Sequence, residues 1–303
     1  MKHLFIVNPA AGGSNKEEKI RSMLVSAFAQ REDEFEIYLT KAPMDACEEI
    51  KRRAEACEEL RVYACGGDGT FNECVCGAAN LKNVSLAPFP TGTGNDFCRM
   101  FGKEAPLFKN LEALLEGSIV PIDLIDCNGR YSANLCSVGV DARIGTNVHN
   151  YTSIPLVGGS LAYVISAVVE IFKGVNMPMH IKCGSYDVNA PHALCCVCNG
   201  RFYGGGFNPS LNAMPNDGLL DIYIAKGMSL PHLATAIGKY STGRSDEVPE
   251  LVTHLSGTEL SIELEKPTVV NIDGEAIYSD KIIMKLIPGA LNLIVPKGIT
   301  FFD

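Results

Sequence analysis

Three glycine-rich loops, each directly behind an apolar run, constrain the fold of this chain most. They are NPAAGG at residues 8–13, GGDGT at 66–70 and PTGTGNDF at 90–97. The preceding runs, HLFIV at 3–7, VYAC at 62–65 and VSLAPF at 84–89, are typical of buried strands. A helical pattern follows each loop. This alternation predicts a parallel sheet with right-handed crossovers.

The apolar and polar patterns divide the chain into two parts. Up to residue 124, strand patterns at 3–7, 35–40, 62–65 and 84–89 alternate with helical patterns at 16–29, 44–56, from 71 and from 95. Beyond it, strand-like runs lie at 131–138, 179–182, 193–198, 219–225, 259–264, 269–271, 281–287 and 291–295, with helical stretches near 156–172 and 229–240. Many short strands predict a sandwich or a barrel. We therefore predict two domains, residues 1–124 and residues 125–303.

Composition narrows the class of protein. The 303 residues carry a net charge of −9, and acidic and basic side chains are spread along the whole chain. A nucleic-acid-binding protein would need a clustered basic face, so no nucleic-acid partner is expected. The twelve cysteines lie mostly inside apolar runs, as in ALCCVC at 193–198. This placement favours free, buried thiols in a reducing compartment over zinc or redox sites.

One apolar segment, IPLVGGSLAYVISAVV at 154–169, raises the question of membrane contact. It is shorter than the roughly 20 apolar residues that a spanning helix needs. A buried helix is the main expectation, and a surface helix that touches lipid stays open. The N-terminal residues show no secretory signal, so we expect a cytoplasmic protein.

The glycine-rich loops carry the chemistry that the sequence suggests. In an open parallel sheet, the loops at the carboxyl ends of the strands line the ligand crevice. Glycine lets backbone amides approach phosphate oxygens, and the helix that follows adds positive potential. Three such loops predict a nucleotide or phosphate site, with three tight structural turns as the alternative. The chain has no GxxxxGK[ST] motif and no GxGxxG after its first strand, which argues against P-loop NTPases and standard dinucleotide dehydrogenases.

Taken together, NPAAGG, GGDGTFNE and PTGTGNDF resemble the diacylglycerol kinase catalytic domain family, which includes bacterial soluble lipid kinases, diacylglycerol kinases and sphingosine kinases. The resemblance continues through NLCSVGVDA at 134–142, NG at 199–200, GGG at 204–206, DGLLD at 217–221 and DGE at 273–275. It thus covers nearly the whole chain. GGDGT alone is shared with NAD kinases, and the later motifs favour the lipid kinases.

The resemblance implies an α/β nucleotide-binding domain with a parallel sheet, as in NAD kinases and phosphofructokinases, and then a β-sandwich domain, with the lipid entering the cleft between them. It also implies ATP and Mg²⁺ as cofactors. The ATP contacts would be Asn8, Pro9, Gly12, Thr40, Gly66, Gly67, Asp68, Gly69, Thr70, Asn72, Thr93 and Asn95. Asp217 would hold Mg²⁺ with the carbonyls of Met214 and Leu219, and Glu275 would be the catalytic base.

The chemistry of the side chains agrees with these roles and leaves alternatives. A carboxylate among phosphate-binding glycines would repel the ligand unless a cation is present, so Asp68 indicates Mg²⁺ and is a catalytic candidate. Asp68 could instead cap the helix that follows GGDGT, and Asn95 could cap the helix that opens near residue 95. Glu275 lies on a hairpin-like turn, where a solvated side chain is the ordinary case. Asp123 either supports the cleft at the domain junction or only ends a strand.

The expected activity is transfer of the γ-phosphoryl group of ATP to a lipid hydroxyl, with diacylglycerol as default substrate and phosphatidic acid as product. The alternatives are an NAD kinase-like kinase of a soluble metabolite and a non-catalytic nucleotide- or lipid-binding module. The expected partners are ATP and a lipid at the inner face of the membrane, contacted peripherally. The sequence leaves open the lipid (diacylglycerol, a sphingoid base, a monoacylglycerol or phosphatidylglycerol) and whether the chain forms a homodimer.

Overall fold

The computed structural model describes residues 1–9, 16–92, 94–147, 169–170 and 174–303. Two expected ATP contacts, Gly12 and Thr93, and nearly all of the apolar segment 154–169 lie outside the described residues. The chain forms two compact units. The first is Met1–Leu124 with Pro288–Asp303, and the second is Ile125–Ile287.

The first unit alternates strands and helices. Its strands are β1 (Lys2–Val7), β2 (Glu34–Leu39), β3 (Leu60–Gly66) and β4 (Val84–Pro90). Its helices are α1 (Lys16–Phe28), α2 (Asp45–Ala54), α3 (Asp68–Ala78), α4 (Asp96–Arg99) and α5 (Leu111–Leu115), with a 3₁₀ helix at Gly102–Lys109. Every strand and helix pattern found in residues 1–99 corresponds to one of these elements.

The strands of the first unit pair in parallel. β1 lies between β2 and β3, and β3 pairs with β4. The chain's last strand, β13 (Glu275–Val295), adds its C-terminal part to β4, where Asn292 pairs with Ser85 and Leu293 with Leu86. All residues of β3 and β4 are buried, as is usual for central strands of a parallel sheet. The order is therefore β2–β1–β3–β4–β13.

The predicted domain boundary differs from the structure at the C-terminal end. We expected residues 125–303 to form one domain, but Pro288–Asp303 belong to the first unit. The reason is the pairing of β13 with β4, which no local pattern reveals. A buried carboxylate supports the returning chain, because Asp123 Oδ1 accepts the amide of Gly289 at 2.8 Å. Asp123 lies inside β5 (Ser118–Cys127), so the expectation that it only ends a strand is wrong.

The second unit is built mainly from antiparallel strands. They are the end of β5 (Ser118–Cys127), β6 (Arg130–Ser132), β7 (Leu135–Gly139), β8 (Met177–Cys183), β9 (Tyr186–Cys198), β10 (Leu220–Lys226), β11 (Val252–Gly257), β12 (Glu259–Ile272) and the start of β13. Its described helices are α6 (Val140–Asn147) and α7 (Leu230–Tyr240), with a 3₁₀ helix at Ser245–Glu247.

Several strands of the second unit are longer than their sequence patterns. The two runs at 259–264 and 269–271 form the single strand β12, which continues past a register shift between Glu263 and Thr268. Likewise, the runs at 281–287 and 291–295 both lie in β13. The charged and proline-containing break at 265–267 resembles a loop in sequence, but pairing on both sides of it keeps the backbone extended. The patterns missed β11 and α6.

Strand β9 explains the continuous apolar run ALCCVC. Cys195 and Val197 pack into one hydrophobic cluster of the second unit, whereas Leu194, Cys196 and Cys198 pack into another. Successive side chains of a strand point to opposite faces, so a strand covered on both faces is apolar at every position. All twelve cysteines are free thiols, and all except Cys57 are buried. The prediction that they act as small buried hydrophobic residues is confirmed.

Candidate active site

The GGDGT motif joins the end of β3 to the start of α3. The structure begins α3 at Asp68, three residues before the predicted start at Phe71. The first bond of this helix is the one from the Phe71 amide to the Gly67 carbonyl, at 3.0 Å. Gly69 and Thr70 therefore lie in the first turn of α3. The backbone amides of this turn have no partner within the helix and bear the positive partial charge of the helix dipole.

The loop after β4 folds back onto this turn. The amides of Thr91 and Gly92 both donate to the carbonyl oxygen of Gly66, each at 3.0 Å. A Cβ atom on Gly92 would lie 2.8 Å from the backbone nitrogen and Cα of Gly67, so the two backbones touch at a distance that only glycine permits. Two of the three glycine-rich loops thus form one continuous backbone surface at the carboxyl ends of β3 and β4.

Asp68 holds these two loops together. Its Oδ1 accepts the backbone amide of Asp96, the first residue of α4, at 2.7 Å. The sequence left open whether Asp68 caps α3, the helix that follows it directly. In the structure, the Asp68 carboxylate caps the N-terminus of α4 instead. Burial, and then the nearby Asp68 carboxylate, raises the pKa of the Cys98 thiol, so this thiol stays protonated.

Asn95 plays a different part from the cap that the sequence allowed. Its Nδ2 donates to the carbonyl of Gly92 at 3.0 Å, and its side chain makes no capping bond to α4. Thr70 and Asn72 are buried within α3, and the rings of Phe71 and Phe97 lie 4.8 Å apart behind the loops. A small pocket is lined by Ala64, Gly66, Gly67, Asp68, Phe71, Pro88, Pro90, Asn95, Phe97 and Cys98.

The other expected ATP contacts lie at the ends of β1 and β2. Asn8 and Pro9 directly follow β1. Thr40 follows β2, and its amide donates to the carbonyl of Val7 at 3.0 Å, which extends the parallel pairing by one residue. Asn8, Pro9, Thr40 and the two glycine-rich loops are therefore all at the carboxyl edge of the same parallel sheet.

Lys16 is a charged residue of this edge that the sequence analysis did not single out. It is the first residue of α1, and its Nζ donates to the carbonyl of Cys65 at 2.9 Å and to that of Asn8 at 3.4 Å. Burial lowers the pKa of its ammonium group. The signal in the sequence was the first basic residue after NPAAGG, placed where a helix begins.

The DGE motif forms the hairpin turn that the sequence predicted. Asp273 and Gly274, with φ of 50° and 95°, are the two turn residues between β12 and β13, and Ile272 pairs with Glu275 across it. Positive φ at both central residues is the signature of a type I′ turn. Glu275 is exposed at the first position of β13. Its carboxylate is thus presented to solvent from a strand end.

Asp273 fastens this turn to the start of β7, and the sequence analysis missed it. Its carboxylate accepts four hydrogen bonds: from the Ser132 hydroxyl at 2.6 Å and from the amides of Ala133, Asn134 and Leu135 at 3.0, 3.2 and 2.9 Å. Asp-Gly is one of the residue pairs that a type I′ turn prefers. The sequence therefore indicated the turn but gave no signal for these four hydrogen bonds.

The DGLLD motif places Asp217 on an exposed turn before β10. Its Oδ1 accepts the amide of Leu219 at 2.9 Å, and its own amide donates to the Met214 carbonyl at 3.4 Å. A carboxylate and main-chain carbonyls are the oxygen ligands that Mg²⁺ prefers, so the donor set fits a magnesium ion. Within the described ranges, no three His, Cys, Asp or Glu side chains are grouped as ligands of a metal.

The second aspartate of the motif, Asp221, anchors this turn from β10. Its Oδ2 accepts the Ser210 hydroxyl at 2.8 Å, and its Oδ1 lies 2.9 Å from Nε2 of His254 on β11. This contact raises the pKa of His254. Arg201 adds a bond from Nε to the carbonyl of Ala213 at 2.8 Å. The segment that carries Met214 and Asp217 is therefore held at its base by charged side chains.

The predicted site residues are divided between the two units. The glycine-rich loops and Asp68 belong to the first unit, and Asp217 and Glu275 to the second.

Among the helices that the structure describes, none is long and apolar enough to cross a membrane.

Comparison with known families identifies both parts of the chain. Residues 2–127 match the model of the diacylglycerol kinase catalytic domain, and residues 134–295 match the YegS C-terminal NAD kinase beta sandwich-like domain. The chain belongs to the family that combines these two domains. The resemblance inferred from the loop motifs is confirmed. The predicted order of domains, a diacylglycerol kinase catalytic domain followed by a β-sandwich-like domain, is confirmed as well.

Individual relatives of the chain agree with this assignment. A protein of Staphylococcus haemolyticus named "Putative lipid kinase" is 27% identical over 249 residues, covering 82% of this chain and 80% of its own. The crystal structure of a putative diacylglycerol kinase from Bacillus anthracis has a TM-score of 0.76 at 26% identity, with 99% of this chain and 98% of that chain covered. A second structure from that organism has a TM-score of 0.72 at 25% identity.

Proposed function

We propose that this chain is an ATP-dependent lipid kinase that transfers the γ-phosphoryl group of ATP to a lipid hydroxyl, with diacylglycerol as the expected acceptor. The observation that carries the proposal is the backbone contact of the loops after β3 and β4, next to the N-terminus of α3. Amides converging at a helix N-terminus form an anion site. Family membership supports a kinase, and the names of the relatives support a lipid as acceptor.

In the first unit, the amides of Gly66, Gly67, Gly69 and Thr70 would bind phosphate oxygens. Asp68 would serve the reaction from a fixed position, because the Asp96 amide orients its carboxylate. Phosphoryl transfer depends chiefly on positioned charge, and a bound Mg²⁺ would neutralise charge on the phosphates. Asp217, with the carbonyls of Met214 and Leu219, would hold magnesium in the second unit.

Glu275 would take the proton of the lipid hydroxyl. An exposed carboxylate at a strand end is accessible to a substrate, and the adjoining turn is fixed by the four hydrogen bonds to Asp273. Asp273 acts here as a positioning residue. Because the lipid that accepts the phosphoryl group lies in a bilayer, the enzyme would work in peripheral contact with the membrane surface.

The test is an assay with ATP labelled in the γ-phosphate and a panel of acceptors. Diacylglycerol, a sphingoid base, a monoacylglycerol and phosphatidylglycerol are presented in mixed micelles, with soluble alcohols and NAD alongside. We expect label in a lipid, abolished by EDTA and restored by Mg²⁺. Label in NAD alone would assign a soluble-metabolite kinase instead. ATP binding without transfer to any acceptor would leave only a nucleotide-binding module.

A further inference from the structure

The strand order of the first unit marks one place on the sheet edge for a ligand. The chain runs from β1 to β2 on one side and then crosses to β3 on the other, giving the order β2–β1–β3–β4. Such a reversal leaves a crevice outside the carboxyl ends of the two central strands, where ligands of open α/β sheets bind. In this unit the reversal falls between β1 and β3, so a ligand is expected at the carboxyl ends of these two strands.

Lys16 lies at this position of the sheet edge. Its ammonium bonds to the carbonyl of Cys65 near the end of β3 and to that of Asn8 just after β1. These two carbonyls belong to the strands on either side of the reversal. The next residue after Cys65 begins the GGDGT motif, so the charge lies beside the loop that would bind phosphate. A partly buried ammonium is costly to desolvate, so a cation here calls for a reason.

A phosphate group supplies that reason. An ammonium makes stronger hydrogen bonds to an anionic oxygen than to a neutral carbonyl, since both partners are charged. ATP brings several negative charges next to the Asp68 carboxylate, and a nearby cation offsets that repulsion. The alternative is a purely structural role, in which Lys16 only ties the ends of β1 and β3 together.

We propose that Lys16 is a phosphate-binding residue of the nucleotide site, with its ammonium donating to phosphate oxygens of bound ATP from the ends of β1 and β3. This inference rests on the proposed ATP-dependent function. It adds a cation from the start of α1 to a site otherwise made of backbone amides.

The test is nucleotide binding by the full chain, measured by calorimetry with ATP and by competition with adenosine, which lacks phosphate. Lys16→Met removes the charge and keeps the aliphatic chain. Lys19→Met is the matched control, since Lys19 lies one turn further along α1 and is exposed. We expect Lys16→Met to weaken ATP binding about ten- to hundredfold, as loss of a charge-assisted hydrogen bond implies, and adenosine binding by less than twofold. Lys19→Met should leave both unchanged.

Other binding results would contradict either the role of Lys16 or the proposed function. If Lys16→Met binds ATP within twofold of the wild type, or loses ATP and adenosine affinity equally, Lys16 is not a phosphate ligand. Should Lys16→Met fail to fold, Lys16→Arg keeps the charge and is expected to retain most ATP affinity; Lys16→Gln, which keeps hydrogen bonding without charge, is expected to lose it. Equal affinities in Lys16→Arg and Lys16→Gln would overturn the proposal. A wild-type chain that binds no ATP would instead refute the proposed function.

Discussion

Replacing Asp273 by glycine separates the conformation of the DGE turn from the hydrogen bonds that hold it. Glycine adopts a φ of 50° freely, so the substitution leaves the type I′ turn intact and removes only the carboxylate. The four hydrogen bonds from the segment 132–135 are then lost. If Asp273 served the turn alone, this variant would be as stable as the wild type or more so.

Two opposing effects determine how much Asp273→Gly changes the free energy of unfolding. Relief of the left-handed conformation at a non-glycine residue stabilises the chain by about 1 kcal/mol. Each lost hydrogen bond costs about 1 kcal/mol net, and those to a charged acceptor lie at the upper end of the range. With four bonds lost, we expect Asp273→Gly to lower the free energy of unfolding by roughly 3 kcal/mol.

The assay is urea unfolding followed by far-ultraviolet circular dichroism, because the chain contains no tryptophan. Asp273→Asn is the companion variant: asparagine suits the backbone but presents an amide group to one of the donors, so a smaller loss is expected. Turnover at saturating ATP should fall in both variants, since Glu275 loses its support. A wild-type urea midpoint together with wild-type turnover in Asp273→Gly would refute the positioning role.

Three further outcomes are expected. Glu275→Gln removes the basicity and keeps the size, so kcat should fall by about 10²- to 10⁴-fold with ATP affinity unchanged; a solvated turn residue would affect neither quantity. Asp68→Ala should abolish measurable turnover and, through loss of the bond to the Asp96 amide, lower the free energy of unfolding by about 1 kcal/mol; full turnover in a folded variant would contradict its assigned role. Burial lowers the pKa of His3 from 6.5 to about 4, so the unfolded state takes up this proton first, and stability present above pH 6.5 is lost as the pH falls towards 4. Melting temperatures measured across that window should fall less steeply in His3→Phe than in the wild type, and parallel curves would show that His3 does not contribute.

The sequence alone determined the features that depend on neighbouring residues. The runs at 3–7, 62–65 and 84–89 became buried strands, and the helix at 229–240 is present as Leu230–Tyr240. The DGE motif was recognisable as a hairpin turn because two consecutive residues with turn chemistry suffice to make one. Periodicity and turn chemistry are local properties, so a single chain displays them.

The tertiary structure decided which residues meet across long stretches of chain. Asp68 reaches an amide 28 residues away, Lys16 a carbonyl 49 residues away, and Asp273 a hydroxyl 141 residues away. These contacts follow from which strands pair and in what register. Register depends on the packing of whole sheet faces and is not encoded in the residues next to any one position. For the same reason the return of β13 to β4, which moves residues 288–303 into the first unit, became visible only in the folded chain.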